Sequence, residues 1–260
     1  MIISVFNRSN GAITDIKLQQ VIRAINIQIG QDFEPYWSFG ATLRLEGHTG
    51  SRKAANAKPY NPLDMRGDAI LYVWDKYNKT LDGVHDKDFR GVPYGVVFLD
   101  LSKKLEEDWS VTLSHEALEL LADPQGNLVV QGPHPVQRSR DVFHWFEMCD
   151  AVQAQSYEIN GVGVSDFVLP LYFTRGSEPG GRNNFMGTVT REGNKIDKLK
   201  SFGVAHGGYI GFFDPHKGDN VNYEAPDDTL AKQRRAVKAG RAGRRFQRAK
   251  NNHFGLVTKT

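Results

Sequence analysis

A single cysteine, Cys149, stands in the 260 residues, so no internal disulfide can brace the fold, and a reducing compartment suits the chain. Long hydrophobic runs are also missing: no stretch approaches the ~18 apolar residues that a membrane span needs. The opening Met1-Ile2-Ile3-Ser4-Val5-Phe6 lacks the basic start and small-residue cleavage site of a secretory leader. The expected setting is therefore cytoplasmic, with no secretion signal and no membrane partner. No internal repeat is visible. Gly176 to Gly181 is not a phosphate loop, because it lacks the closing Lys-Ser/Thr pair and the strand-to-helix context.

An excess of one charge is nearly missing overall, at +3, but its distribution is uneven. Nine Lys or Arg and no acid fall between Ala231 and Lys250, so the remainder of the chain is net acidic. The basic character belongs to a C-terminal extension, expected at 225–260, that follows a domain at 1–224. A solvated flexible tail is the ordinary reading of such a run. The sharper one is an anionic partner, either nucleic acid or an acidic protein. Only Phe246 and Phe254 interrupt the run as aromatics, which argues against sequence-specific single-strand binding.

What is present is an ordinary globular composition: 40% hydrophobic and 24% charged residues, enough to bury a sizeable core. Ile2 to Phe6 reads as a buried strand and Asn7 to Gly11 as a turn. Thr14 is placed to cap a helix in which Leu18, Val21, Ile22, Ile25 and Ile29 share a face, with Gly30 as its stop. Ala41 to Glu46, Ala69 to Trp74 and Gly95 to Leu101 are strand candidates, and Gly47 to Met65 reads as a long loop. A second helix, capped by Ser110, runs to about Ala122 before Pro124 ends it. Phe143 to Cys149 fits either helix or strand. Gly207 to Phe213 suggests a last strand or a packed turn, and Thr229 to Lys250 a basic helix broken at Gly240 and Gly243.

The chemistry concentrates in Ser114-His115-Glu116-Ala117-Leu118-Glu119. Residues four apart on a helix project together, so His115 and Glu119 can supply two ligands to one metal ion. Glu116 points off that pair, where it can take a proton from activated water and pass it to a leaving amine. The plain alternative is a helix with exposed His and Glu. Asp123 lies about 12 Å further along a straight helix, too far to join the same ion, and reads as a turn residue. A further ligand must then come from downstream. Glu147 and Asp150 are the acids placed for it, with Glu147 slightly ahead and His144 and His206 next. The alternative for both acids is a backbone contact, or pairing with Arg138 or Arg140. Cys149 reads as a buried structural thiol. Trp37, Phe39, Trp74 and Trp145 read as core or cleft walls.

The order of helix, strands and HExx(H/E) helix resembles the N-terminal half of zinc-dependent metallopeptidases. More closely, Ser114-His115-Glu116-x-x-Glu119 followed by Asp123-Pro124 is similar to a group of phage and bacterial metallopeptidase-like proteins. Glu147-Met148-Cys149-Asp150, Tyr157 to Val162, Val164 to Pro170 and Gly207-Gly208-Tyr209 extend the resemblance over roughly Ile2 to Asp214. It implies an α+β domain with a mixed sheet packed on an active-site helix. It also implies one divalent metal, with Glu116 catalytic and ligands drawn from His115, Glu119, Glu147 and Asp150, and a protein or peptide substrate. Location inside a virus particle follows if the chain is phage-encoded. One departure matters: Glu119 stands where well-characterised peptidases carry a second histidine. A site of one His and two carboxylates neutralises a divalent ion, so it polarises water less and makes manganese or iron more competitive with zinc. A non-catalytic structural or assembly protein that keeps the fold is therefore the rival expectation.

Overall fold

The computed structural model describes residues 1–46, 67–76, 92–191 and 195–238, with side chains as far as Arg234. Helices and sheets both contribute, as an α+β chain should. Strands β1 (Ile2–Arg8), β2 (Thr42–Leu45), β3 (Ala69–Trp74) and β4 (Tyr94–Phe98) form a sheet in the order β2-β1-β3-β4, parallel throughout. Strand β3 is buried along its whole length. Ala69, Leu71 and Val73 face the main core, and Ile70, Tyr72 and Trp74 join Phe6, Val96 and Phe98 in a second cluster on the other face. Burial on both faces is why these strands read as continuous apolar runs rather than alternating ones.

Helix α1 (Asp15–Ile27) starts as expected, with the Thr14 side chain accepting from Lys17 N. Gly30 does not stop it. The chain continues through a π-helical stretch, Gln28–Phe33, into α2 (Glu34–Trp37), and turns only at Ser38, whose φ of 61° is left-handed. Glycine inside a helix costs about 1 kcal/mol. Ile29 and Phe33, both buried on this stretch, bring roughly 1.5–3 kcal/mol each, so the packing on either side of Gly30 outweighs its propensity.

A short α3 (Leu99–Lys104) leads to α4 (Trp109–Ala122). Its cap is Asp108, which accepts from Ser110 N at 3.0 Å, rather than Ser110. Ser110 lies inside the first turn and donates instead to Gly163 O at 2.7 Å. Helix α4 is packed between strand β4 and the hairpin of β7 (Ser156–Ile159) and β8 (Val162–Ser165). A second, antiparallel sheet runs in the order β12-β11-β6-β5, from β5 (Val129–Pro133), β6 (Asp141–Trp145), β11 (Ile210–Asp214) and β12 (Asp219–Tyr223). The expectation of one mixed sheet is thus corrected among the described residues: the four-stranded sheet packed on α4 is wholly parallel, and the antiparallel strands lie in a separate four-stranded sheet and in two-stranded pairs. A small pair, β9 (Val189–Thr190) and β10 (Ile196–Asp197), completes the strands.

The expected boundary after residue 224 falls just ahead of α5 (Thr229–Lys238), which docks on the body. Asp228 accepts from Gly207 N at 2.6 Å and from Ala231 N at 2.8 Å. Arg234 reaches Glu107 at 2.8 Å and Gln153 O at 3.0 Å. The expected loop at Gly47 to Met65 and the extension beyond Lys238 lie outside the described residues. No helix among those described is long and apolar enough to cross a membrane.

Candidate metal centre

Helix α4 buries polar residues along with apolar ones. His115 is 3% exposed, Glu116 6% and Glu119 4%. Ionisable side chains are almost never buried to this degree without a partner, so the expectation of an exposed His-Glu face fails. The helix is held in register by a buried brace. Ser114 Oγ donates to Gln28 Oε1 at 2.6 Å and accepts from Ser165 N at 3.0 Å, while Gln28 Nε2 donates to Ser165 O at 2.7 Å. The π-helical stretch thereby fixes the residue immediately before His115.

His115 and Glu119 meet as their spacing requires, with Nε2 3.1 Å from Glu119 Oε1. The same nitrogen lies 3.3 Å from Asp150 Oδ1. One N–H can be aimed well at only one acceptor, so two carboxylate oxygens drawn to one imidazole nitrogen suit a shared cation better than a hydrogen bond. Ligand atoms around a tetrahedral zinc, at bonds of ~2.0–2.1 Å, stand about 3.3 Å from one another. Each of the two observed separations lies near that spacing, so either carboxylate could share a divalent ion with His115. Ligand-type atoms of His115, Glu116 and Glu119 all lie within 4.8 Å of one another. Several carboxylates in one buried space repel unless a proton or a cation joins them.

Asp150 reaches His115 because of the chain around it. Phe143 to Trp145 are extended in β6, and a 3₁₀ turn begins at Asp150, so Glu147 and Asp150 do not share a helical face. They do line one small cavity of about 10 Å³, with His144, Tyr172 and Ile210 among its walls, room for about one water. The segment before β11 clasps the turn: Ala205 N donates to Ala151 O at 2.9 Å and Tyr209 N to Asp150 O at 3.1 Å. Only glycine fits between those contacts, since a Cβ on Gly208 would sit 2.3 Å from Ala151 O. Gly95 of β4 similarly leaves room beside the helix, where a Cβ would lie 2.7 Å from Leu71 Cδ2 and 3.8 Å from Glu116 Oε2.

Tyr209 is the site residue that sequence reasoning did not single out, beyond its place in the Gly207-Gly208-Tyr209 pattern. Its hydroxyl bonds to Asp150; desolvation first, and then the charges of Asp150, Glu119 and Glu147, hold its pKa well above the usual value. The phenol therefore stays protonated. Glu147, 8% exposed, stands at this edge of the site, and His115 Nε2 lies close to Glu119 and Asp150.

The remaining candidates have other occupations. Arg140 forks onto Asp214 at 2.7 and 2.9 Å, and Arg138 donates to Ser201 O. His144 Nε2 lies 2.9 Å from Pro133 O, and burial pushes its pKa down to about 4 although that carbonyl opposes the shift. His206 pairs with Asp228 at 3.1 Å. The carboxylate of Asp123 accepts from Leu128 N at 2.9 Å, the turn role its position suggested. Cys149 is fully buried, and burial, with Glu119 nearby, raises its thiol pKa well above normal; it is an inert packing thiol. Compared with known families, curated proteins and solved structures, the chain matches none.

Proposed function

We propose that the chain is a metal-dependent hydrolase of peptide bonds, with one divalent ion held by His115, Glu119 and Asp150. The observation that carries this reading is the approach of two carboxylates, from α4 and from the 3₁₀ turn, to the same imidazole nitrogen. Asp150 takes precedence over Glu147 as the third ligand, and Glu147 acts from behind it. Zinc suits the tetrahedral spacing, and the two carboxylates admit manganese or iron. Such an ion supplies Lewis acidity, polarising a carbonyl and acidifying water.

Glu116 follows His115 directly but lies off the His115–Glu119 row. From there it takes a proton from the attacking water and returns it to the leaving amine, work worth about 10²–10⁴-fold in rate. Tyr209, kept neutral, holds the Asp150 carboxylate in orientation through its hydroxyl. Strand β4 is the end strand of the described sheet and passes Glu116 at Gly95. An extended peptide paired with its edge would run beside the site. A protein or peptide is accordingly the proposed substrate, and an anionic partner for the basic extension remains a separate proposal.

A second reading is favoured by the near-complete burial of His115, Glu116 and Glu119. Structural metal sites are closed and catalytic ones keep an open position, so an assembly protein could hold the ion without turnover. Metal content together with digestion of an unbiased peptide library separates the two. Under the proposal, wild type carries the ion and cuts, and Glu116→Gln carries it and does not cut. A metal-loaded wild type that cuts nothing selects the assembly reading.

A further inference from the structure

Away from the metal centre lies a cleft of about 780 Å³. It lies between the β9–β10 pair, the Phe202 to His206 segment and the approach to α5. The size suits a small-molecule or polymer-segment site. Its floor is apolar, formed by Val189, Leu199, Phe202 and Ala205, and its rim is cationic. Arg138, Lys195, Lys198 and Lys200 stand exposed around it. Among the described residues none of these four has an ion-pair partner. Arg191, also on the rim, is committed to Asp197.

The acids of this cleft do not cancel the rim. Asp228 is 4% exposed, and its oxygens are taken by Gly207 N, Ala231 N and His206. Asp227 is left as the one exposed carboxylate among the described lining residues. Four unpaired cations around one apolar floor repel each other, and that repulsion is relieved by an anion of high charge density. Three of the four are lysines, compact point charges that neutralise phosphate oxygens, and the planar fork of Arg138 matches a phosphate bidentately.

We propose that this cleft binds a phosphate-bearing ligand, with Arg138, Lys198 and Lys200 taking the phosphates and the apolar floor taking the body attached to them. The chemistry is shared by a free nucleotide or polyphosphate and by a nucleic-acid strand, and the two are told apart below. The site is independent of the metal reading and of the basic extension beyond Lys238.

The test uses the full chain and titrates it calorimetrically with tripolyphosphate, at about 50 and 200 mM salt. Two variants are compared with wild type: Lys198→Ala/Lys200→Ala in the cleft and Arg241→Ala/Arg244→Ala/Arg245→Ala in the extension. All four cleft cations are exposed, so circular dichroism of the cleft variant should match wild type. The expected result is saturable binding that weakens at least tenfold in the cleft variant, falls with salt, and is unchanged in the extension variant. Competition by a single-stranded oligonucleotide would identify the source as nucleic acid, and its failure to compete would identify a free phosphate compound. Equal weakening in both variants, no binding at all, or tighter binding of poly-glutamate than of tripolyphosphate would overturn the proposal.

Discussion

Replacing Asp150 by Asn is the most informative perturbation of the metal centre. The amide keeps the size of the side chain and can still bond the Tyr209 hydroxyl, and the backbone carbonyl that accepts from Tyr209 N is untouched. What is lost is a charged oxygen 3.3 Å from His115 Nε2. With His115 and Glu119 alone, the protein supplies two donors where a stable site uses at least three. Stoichiometric binding should disappear, a loss beyond 100-fold, or more than about 2.7 kcal/mol. Glu147→Gln removes a carboxylate that lines the same small cavity as Asp150, and on the proposed orienting role it should cost about 10–100-fold. Competition with a chromophoric chelator at fixed pH measures both. If Glu147→Gln lost the ion while Asp150→Asn kept it, the assignment of the third ligand would be refuted.

Ser114→Ala strips Gln28 and Ser165 of a buried partner, and should lower stability by about 1–3 kcal/mol in denaturant; a change within the scatter of wild type would show that the brace is idle. Gly208→Ala drives a Cβ against a backbone oxygen and should cost about 1–3 kcal/mol while weakening metal affinity, whereas an unchanged thermal midpoint would contradict the clasp. Arg140 and its hydrogen bonds hold the Asp214 carboxyl down at about 2. The native state therefore binds this proton less readily than the unfolded chain, so the contribution is full well above pH 4 and is lost as pH falls through about 2. The stability gap between wild type and Asp214→Asn should close over that window, and a gap constant down to pH 2 would contradict the pairing. Truncation from Pro226 removes Asp228 and Arg234 and should lower the thermal midpoint; retention of the full midpoint would show the docked helix to be ornamental.

The helix-bearing half of the fold was legible because its signals are local. Thr14 capped its helix, Pro124 closed the other, and the apolar run of β3 announced a strand buried on both faces. Gly30 misled because propensity is a weak term beside the burial of Ile29 and Phe33. Ser110 misled because Asp108, two residues earlier, competes for the same cap and wins. The separation into a parallel and an antiparallel sheet was not legible, since pairing direction is set by contacts distant in sequence. The same division runs through the site. His115 and Glu119 follow from helical spacing alone. The closeness of Asp150 depends on Gly208 letting the chain pass Ala151, more than fifty residues downstream, and Tyr209 reaches the acids only through that contact.

The most direct measurement is an anomalous-difference map at the zinc edge from crystals grown with zinc. The account requires one strong peak at roughly 2.0–2.2 Å from His115 Nε2 and from a carboxylate oxygen of each of Glu119 and Asp150. A map with no peak there, or with its peak coordinated by other residues, would contradict it.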